Sequence, residues 1–129
     1  MIRLKGNDMS ILKGISSEID VKCVARVRGD CGTVTDVPFV ATFRTLKNSE
    51  RLEFRKEAGR RMRETPEDWD HAEFVRRNLV GWKEFPTTTG EPLEFCPDNV
   101  EMVLEAIEYC DALYAGFLEV VNGAAKGKN

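Results

Sequence analysis

The sequence has few of the features that mark membrane, secreted or metal-binding proteins. No apolar run approaches the roughly 20 residues that span a bilayer, and the opening MIRLKGNDMS contains no apolar signal region, so we expect a cytoplasmic location. The cysteines are too widely spaced to form a Cys-x-x-Cys pair. They predict small buried apolar groups rather than a zinc or redox site: Cys23, Cys31, Cys96 and Cys110.

Recognisable catalytic motifs are also missing. The single histidine, His71, has no cysteine or aspartate positioned by sequence to make it a catalytic base. The threonines at 87–89 have no base beside them, and a Gly-rich phosphate loop is absent. We therefore predict a non-enzymatic protein that uses no cofactor and no bound metal.

Positive and negative charges are unevenly distributed. The net charge is −3, yet residues 84–122 contain nine acidic residues and no lysine or arginine, whereas residues 1–83 carry 17 basic and 13 acidic residues. One hypothesis is head-to-tail contact between copies, in which the basic front meets the acidic back. The alternative is that both surfaces only keep the protein soluble.

The front of the chain predicts an antiparallel β-hairpin. Residues 18–29, EIDVKCVARVRG, alternate apolar and polar side chains, which is the period of a half-buried strand. Turn residues follow at 29–32, and residues 33–46 are rich in β-branched and aromatic types. Pro38 lacks an N–H group, which favours an edge position or a bulge in the second strand.

A helix is predicted over residues 48–64, NSERLEFRKEAGRRMRE. It begins with capping residues and has a thin apolar face formed by Leu52, Ala58 and Met62. The rest of its surface is charged, and Arg55 and Arg60 are candidate partner-binding residues.

This basic helix supports an alternative function. A small nucleic-acid-binding regulator would use residues 51–63 to contact phosphates. However, Glu50 and Glu53 stand three and four residues from basic side chains and are spaced to form ordinary pairs with them. Nucleic acid is therefore the less favoured partner.

A second helix is predicted to begin at Thr65-Pro66-Glu67-Asp68 and to run to about Leu79. Threonine is a good cap, proline suits the first helical position, and an acid follows three residues after the cap. One buried face results from the spacing of the apolar residues Trp69, Ala72, Val75 and Leu79.

Helical periodicity returns after Cys96. Pro97 opens the segment, Asp111 marks an expected break into two helices, and Gly123 is the expected stop. The apolar stripe comprises Val100, Val103, Leu104, Ile107, Tyr114, Phe117, Leu118 and Val121. The opposite face carries acidic residues, of which three are candidate partner-binding residues: Glu101, Glu105 and Glu108.

The joint between these helices, residues 79–99, predicts a short hairpin-like insertion. Gly81 is expected to let the chain leave the preceding helix in a conformation that other residues disfavour. Trp82, Phe85, Leu93 and Phe95 have two interpretations: they pack the insertion onto the helices, or they form a patch that binds a partner.

Three short motifs in this region are shared with a known family. They are LVGW at 79–82, GEPLEF at 90–95, and PDNV at 97–100 leading an amphipathic helix. With them, residues 75–121 resemble the tail assembly chaperones of long-tailed bacteriophages. Cys96 departs from the family pattern, since a serine or threonine cap is commoner there.

The resemblance implies a non-enzymatic protein that coats the extended tape measure protein in the bacterial host cytoplasm. It implies a homo-oligomer, contact with a longer product made by ribosomal frameshifting, and departure before or as tail tube protein polymerises. AKGKN at 125–129 suits a purine-rich slippery site, so the chain is similar to the short product. Met1 and Met9 are alternative starts.

Together these patterns predict a single α+β domain over residues 1–122 and a flexible tail at 123–129. The fold would contain an N-terminal antiparallel β-hairpin, about four helices, and a short hairpin-like insertion between the middle and C-terminal helices.

Overall fold

A computed structural model describes residues 11–123. Three strands are present in this range: β1 (Glu18–Arg28), β2 (Val34–Arg44) and β3 (Leu79–Lys83). The four helices are α1 (Asn48–Glu64), α2 (His71–Asn78), α3 (Pro97–Glu105) and α4 (Ile107–Asn122). The predicted α+β class, the hairpin and the four helices are confirmed. The two alternative starts and the predicted tail beyond Gly123 lie outside the described residues.

Strands β1 and β2 form the predicted hairpin. They pair antiparallel along their whole length, from Glu18 opposite Arg44 to Arg28 opposite Val34. Alternate residues of β1 face inward, so that Val21, Cys23 and Ala25 are buried while their neighbours are exposed. The period-two pattern of the sequence is therefore confirmed.

The third strand was not predicted. Residues 79–83 pair antiparallel with β2, with Trp82 opposite Ala41, so the Gly-Trp pair lies in the sheet and not in a loop. Gly81 does not adopt a left-handed backbone; Glu84 does, with φ of 52°. The strand forms because its backbone pairs with that of β2, which lies about 40 residues away in the sequence. Local sequence patterns do not reveal a pairing between segments so far apart.

β2 is the central strand of the sheet, yet its proline is accommodated. β3 pairs with β2 only from Val40 onward, so at Pro38 one side of β2 has no partner strand in the described part of the chain. The predicted edge environment is therefore confirmed at Pro38. A residue that lacks an N–H group is tolerated where no neighbouring strand is there to accept a hydrogen bond from it. The irregularity in pairing lies elsewhere, between Thr42 and Phe43.

The predicted apolar face of α1 is wrong at two of its three residues, since Ala58 packs against the core but Leu52 and Met62 do not. Leu52 is 49% exposed and Met62 is 61% exposed, whereas Phe54 is the buried residue of this helix. Phe54 packs edge-on against Phe74 at 4.9 Å and Phe117 at 5.1 Å between ring centroids. Phe54 is therefore the main apolar anchor of α1.

Helix α2 begins later than predicted. Residues 66–68 form a separate 3₁₀ turn, and the Thr65 side chain makes no capping hydrogen bond. Asp70 is the cap, since its Oδ1 accepts the backbone N–H of Ala72 at 3.0 Å. Because the Asp70 carboxylate caps the helix, α2 begins after Asp70 and not at the Thr-Pro pair five residues earlier. Trp69 therefore precedes the helix, although it still packs against the core.

The C-terminal segment divides into two helices at Ala106 and not at Asp111. Ala106 has an extended backbone and ends α3 while preceding α4. The break rotates the helical face, so Ile107 is 68% exposed and does not belong to the buried stripe. Gly123 ends α4 with φ of 71°, as predicted.

Candidate functional site

A cleft of about 260 Å³ opens between α1 and α2 beside the end of β2. We call it the α1–α2 cleft. Its floor is apolar and its rim is charged. The floor is formed by Leu46, Phe54, Phe74 and Phe117, and the rim includes Arg44, Glu50, Glu53, Glu57 and Arg77.

One buried polar side chain lines this cleft. Asn78 is 5% exposed, and its Nδ2 donates to the carbonyl oxygen of Phe74 at 2.7 Å. Its Oδ1 has no hydrogen-bond partner among residues 11–123. A buried acceptor left unpaired destabilises a protein by about 1–3 kcal/mol, so this side chain carries a cost within the fold.

The rim carboxylate nearest to β2 is fixed in position. Glu50 accepts the backbone N–H of Lys47 at 2.9 Å and Nη1 of Arg44 at 2.9 Å. The Lys47 amide, followed by the Arg44 guanidinium, lowers the pKa of Glu50 below its ordinary value. Glu50 is therefore an ionised and oriented group on the rim near neutral pH.

Four charged side chains join α1 to α2 at the other side of the cleft. Arg61 donates to Glu57 and to Glu73, each at 2.7 Å. Arg77 pairs with the same two carboxylates, at 3.4 Å from Glu57 and by a short contact with Glu73. The hydrogen bond from Arg61 is the main cause that lowers the pKa of Glu73.

This network also covers an aromatic ring. The guanidinium groups of Arg61 and Arg77 lie 5.5 Å and 5.3 Å from the ring centroid of Phe74. Cations over a ring face are attracted to it. The ring that forms part of the cleft floor is therefore held by charges from both helices.

The lone histidine lies outside the α1–α2 cleft. His71 stacks on Tyr114 with ring centroids 4.1 Å apart, and its Nδ1 lies 3.5 Å from Oδ1 of Asp111. Cys110 is buried, and burial is the main cause that raises the pKa of its thiol. Within the described range no cluster of three or more histidine, cysteine or acidic side chains could hold a metal ion.

The predicted aromatic group does come together. The ring of Trp82 lies 4.6 Å from Phe85 and 4.9 Å from Phe95, and its Nε1 donates to the carbonyl oxygen of Leu93 at 2.7 Å. Phe85 is 3% exposed and packs on Phe39 at 4.8 Å. Only Phe95, at 37%, is exposed, so the group chiefly packs the insertion onto the sheet.

The charged candidate residues are not gathered into one site. Arg55 donates to Oδ1 of Asn122 at the end of α4, at 3.2 Å, and Arg60 lies 3.9 Å from Glu64. Glu101 is neutralised by Arg76 of α2 through two hydrogen bonds of 2.7 and 2.9 Å. At Glu101, the acidic C-terminal region therefore pairs with a cation from α2.

The two remaining acidic candidates lie away from the α1–α2 cleft. Glu105 is exposed near the end of α3. Glu108 lines a wider groove of about 560 Å³ between α4 and the outer residues Val24 and Arg26 of β1.

The cysteine prediction is corrected at one position. Cys23 and Cys110 are buried and Cys96 is half-buried, but Cys31 is exposed. Cys31 stands in the β1–β2 turn with φ of 58°, where there is no core to bury it.

Sequence reasoning missed the cleft, although some of its residues carried a signal. Glu57 and Arg61, like Glu73 and Arg77, are four residues apart, the spacing of a helical ion pair. That spacing predicts two separate pairs within helices. The cross-links from one helix to the other, and the burial of Asn78, depend on how α1 and α2 pack.

Comparison of the chain with protein-family models, with curated proteins and with solved structures found no match. The structure places the described residues in an α+β fold with a three-stranded antiparallel sheet, four helices and a cleft between α1 and α2. None of the helices between residues 11 and 123 has both the length and the apolar character to cross a membrane.

Proposed function

We propose that this protein binds another polypeptide during assembly, as a phage tail assembly chaperone that holds the tape measure protein. The observation that carries the proposal is the α1–α2 cleft, with apolar rings at its floor and fixed charges at its rim. Such a cleft suits one side chain of a partner, because burial of an apolar group gives affinity and rim charges select its surroundings.

The dimensions of the cleft support a polypeptide partner. A volume of about 260 Å³ holds one large side chain and not an extended cofactor. A long helical protein presents many such side chains at regular intervals, so modest contacts with many chaperone copies would coat it. The family resemblance of residues 75–121 points to the same role.

The resemblance adds further partners to this proposal. They are a second copy of the chain, a longer frameshifted product with the same front part, and tail tube protein, whose polymerisation displaces the chaperone. The work would take place in the bacterial host cytoplasm.

Co-expression with a tape measure protein tests the proposal. The tagged chain is co-expressed with a tape measure protein, and the complex is isolated by affinity and size-exclusion chromatography. Stable co-purification is expected. Ser49→Trp, which places a large ring at the exposed mouth of the cleft, should weaken the complex.

Lys56→Trp is the matched control. Lys56 is exposed on the same helix but does not line the cleft. It should leave the complex intact. A wild-type chain that never co-purifies with the tape measure protein would refute the proposed function.

A further inference from the structure

Strand β1 lies at one edge of the sheet and has β2 as its only partner strand within residues 11–123. Two hydrogen bonds at its ends show which way its backbone groups point. The N–H of Thr45 donates to the carbonyl oxygen of Ser17 at 2.9 Å, and the N–H of Gly29 donates to that of Thr33 at 2.8 Å. The register is unbroken between these pairs, so the odd-numbered residues of β1 bond to β2. The even-numbered residues therefore direct their N–H and C=O groups to the open edge.

The open edge is long and regular. β1 has 11 residues, whereas an average strand has about 5–6. Residues 18–28 contain no proline and no break in register. Short length, proline and bulges are common devices that prevent an edge from pairing with another strand. Charge is the device that remains here, because Lys22, Arg26 and Arg28 are exposed, and this charge disfavours a basic strand but not an acidic one.

A groove of about 560 Å³ lies along the second half of this edge. We call it the β1 edge groove. One wall is formed by β1 from Val24 to Arg28, and the other by α4 from Ile107 to Ala115. At about 3.3 Å per strand residue and about 1.5 Å per helix residue, each wall is about 12–13 Å long. The groove therefore has room for about four residues of an extended chain.

The α4 wall suits a row of apolar side chains. Ala112 and Ala115 are small, and Ile107 is 68% exposed at the end of the groove. A strand beside β1 would direct alternate side chains toward α4 and the others toward the solvent face of the sheet. Burial against Ile107 and the two alanines favours apolar residues in the first set.

The solvent face of the sheet beside the groove is basic. Arg26 lies 3.4 Å from Asp36 of β2, whereas Arg28 has no ion pair among residues 11–123. Side chains directly opposite each other on neighbouring strands are close enough for their charges to interact. Acidic residues are therefore favoured in the second set, opposite Arg26 and Arg28.

A second copy of the chain does not suit this edge through antiparallel pairing of its own β1. Helix α4 lies over β1 so closely that Gly116 is beside Cys23. In such a pair both α4 helices would lie on one face of the joined sheet, about 5 Å apart. Packed helix axes are about 8–10 Å apart, so the two helices would collide. The geometry favours a strand with no helix above it.

We propose that the β1 edge groove binds an extended segment of a partner polypeptide as a fourth strand. Its backbone pairs with Val24, Arg26 and Arg28. Its inward residues are apolar and contact Ala112 and Ala115, and its outward residues are acidic. This interaction surface is separate from the α1–α2 cleft and does not rest on the proposed function.

A synthetic peptide tests the groove. The probe has the sequence SEVEVES with blocked ends, and its control, SKVKVKS, replaces the glutamates by lysines. Amide hydrogen exchange of the full chain reports binding. The amides of Val24, Arg26 and Arg28 should exchange faster than their odd-numbered neighbours in the free protein, and SEVEVES should protect them with a dissociation constant of about 0.1–1 mM. SKVKVKS should bind about 10-fold more weakly at low salt.

Backbone methylation separates strand pairing from attraction between charges. One form of SEVEVES carries N-methyl groups on its glutamates, and another carries them on its valines. Successive N–H groups of a strand point in opposite directions, so only one of the two forms should lose binding. Equal binding by the two forms would overturn the inference.

Three variants test the walls of the groove, and circular dichroism checks that each is folded. Ala115→Trp places a large ring in the groove at an exposed position and should abolish protection by SEVEVES. Met102→Trp is the matched control, since Met102 is 55% exposed and does not line the groove. It should preserve binding. Arg28→Glu should weaken binding of SEVEVES and strengthen binding of SKVKVKS.

The inference is also overturned if SEVEVES at about 5 mM protects none of the three edge amides, or if SKVKVKS binds as tightly. Protection of these amides in the free protein would overturn it as well; sedimentation would then assign the edge to a second copy if the protein is a dimer, or to another part of the chain if it is a monomer. Ser49→Trp, which blocks the α1–α2 cleft, should leave peptide binding unchanged. A failure of the proposed function is therefore distinguishable from a failure of this inference.

Discussion

Gly116 of α4 lies directly against Cys23 of β1. A methyl group added to Gly116 would come within 2.8 Å of Sγ of Cys23, and within 3.4 Å of the ring of Phe43. Atoms do not approach so closely without a shift of the backbone or side chain. The glycine in the middle of α4 is therefore explained by the close approach of this helix to the sheet.

Gly116→Ala should destabilise the protein by about 1–3 kcal/mol, because the overpacking outweighs the gain in helix propensity. Chemical denaturation measures the change. Combining it with Cys23→Ala removes the clashing sulfur, so the double variant should recover about 1 kcal/mol relative to the sum of the single changes. Strict additivity of the two changes would contradict this contact.

Phe54→Ala should reduce the free energy of unfolding by about 3–5 kcal/mol, since it deletes the ring that anchors α1 between Phe74 and Phe117. Leu52→Ala is the control on the same helix and should change stability by less than about 0.5 kcal/mol, because Leu52 is half-exposed. Urea denaturation of both variants checks the observed face of α1. Equal losses of stability in the two variants would instead support the apolar face of α1 that the sequence predicts.

Acid should weaken the connection between α1 and α2. The pKa of Glu73 is lowered in the folded protein, chiefly by Arg61, so this carboxylate stabilises the fold at every pH above its ordinary pKa. The contribution is lost as the pH falls below about 4.5, through the lowered pKa of the folded protein, and the group is protonated. Glu50 follows the same rule, for its pKa is lowered by the Lys47 amide and Arg44.

Urea midpoints measured from pH 7 to pH 3 report this loss. The midpoint should fall most steeply below about pH 4.5. Glu73→Gln should be less stable than the wild type at pH 7 and should show a shallower decline. A urea midpoint that rises on acidification would contradict the lowered pKa values of Glu73 and Glu50.

The thiols should differ in their reactivity toward an aromatic disulfide reagent. Cys31 is exposed and should react first, whereas burial raises the pKa of Cys23 to about 11 and also raises that of Cys110. Absorbance during labelling of the native protein should show a fast phase that Cys31→Ser removes. Labelling of Cys23 before unfolding, detected by mass spectrometry, would show that α4 does not cover it.

Nucleic acid should bind weakly at most. The basic helix that would contact phosphates uses several of its arginines within the protein: Arg51 donates to the carbonyl oxygen of Val121, Arg55 to Asn122, and Arg61 to two carboxylates. We expect no retention on heparin at 0.15 M salt. Retention that falls steeply with salt and is lost in Arg60→Ala would favour the alternative function.

Local patterns predicted much of the secondary structure. The alternation through Val21 and Cys23 determines a strand, the stretch at 48–64 determines a helix, and Gly123 ends the last one. These outcomes depend on neighbours a few residues apart. The candidate site was not predicted, because Phe54, Asn78 and the Arg61–Glu73 pair acquire their roles only when α1 lies beside α2.

The sequence by itself determined the α+β class, the hairpin and the number of helices, since periodicity and turn chemistry act within short segments. Only the tertiary structure decided that residues 79–83 join the sheet, that α3 and α4 part at Ala106, and that a cleft forms beside Asn78. The physical reason is that strand pairing and side-chain burial depend on which elements pack against each other. The residues that make those contacts are far apart in the sequence, so local patterns do not reveal them.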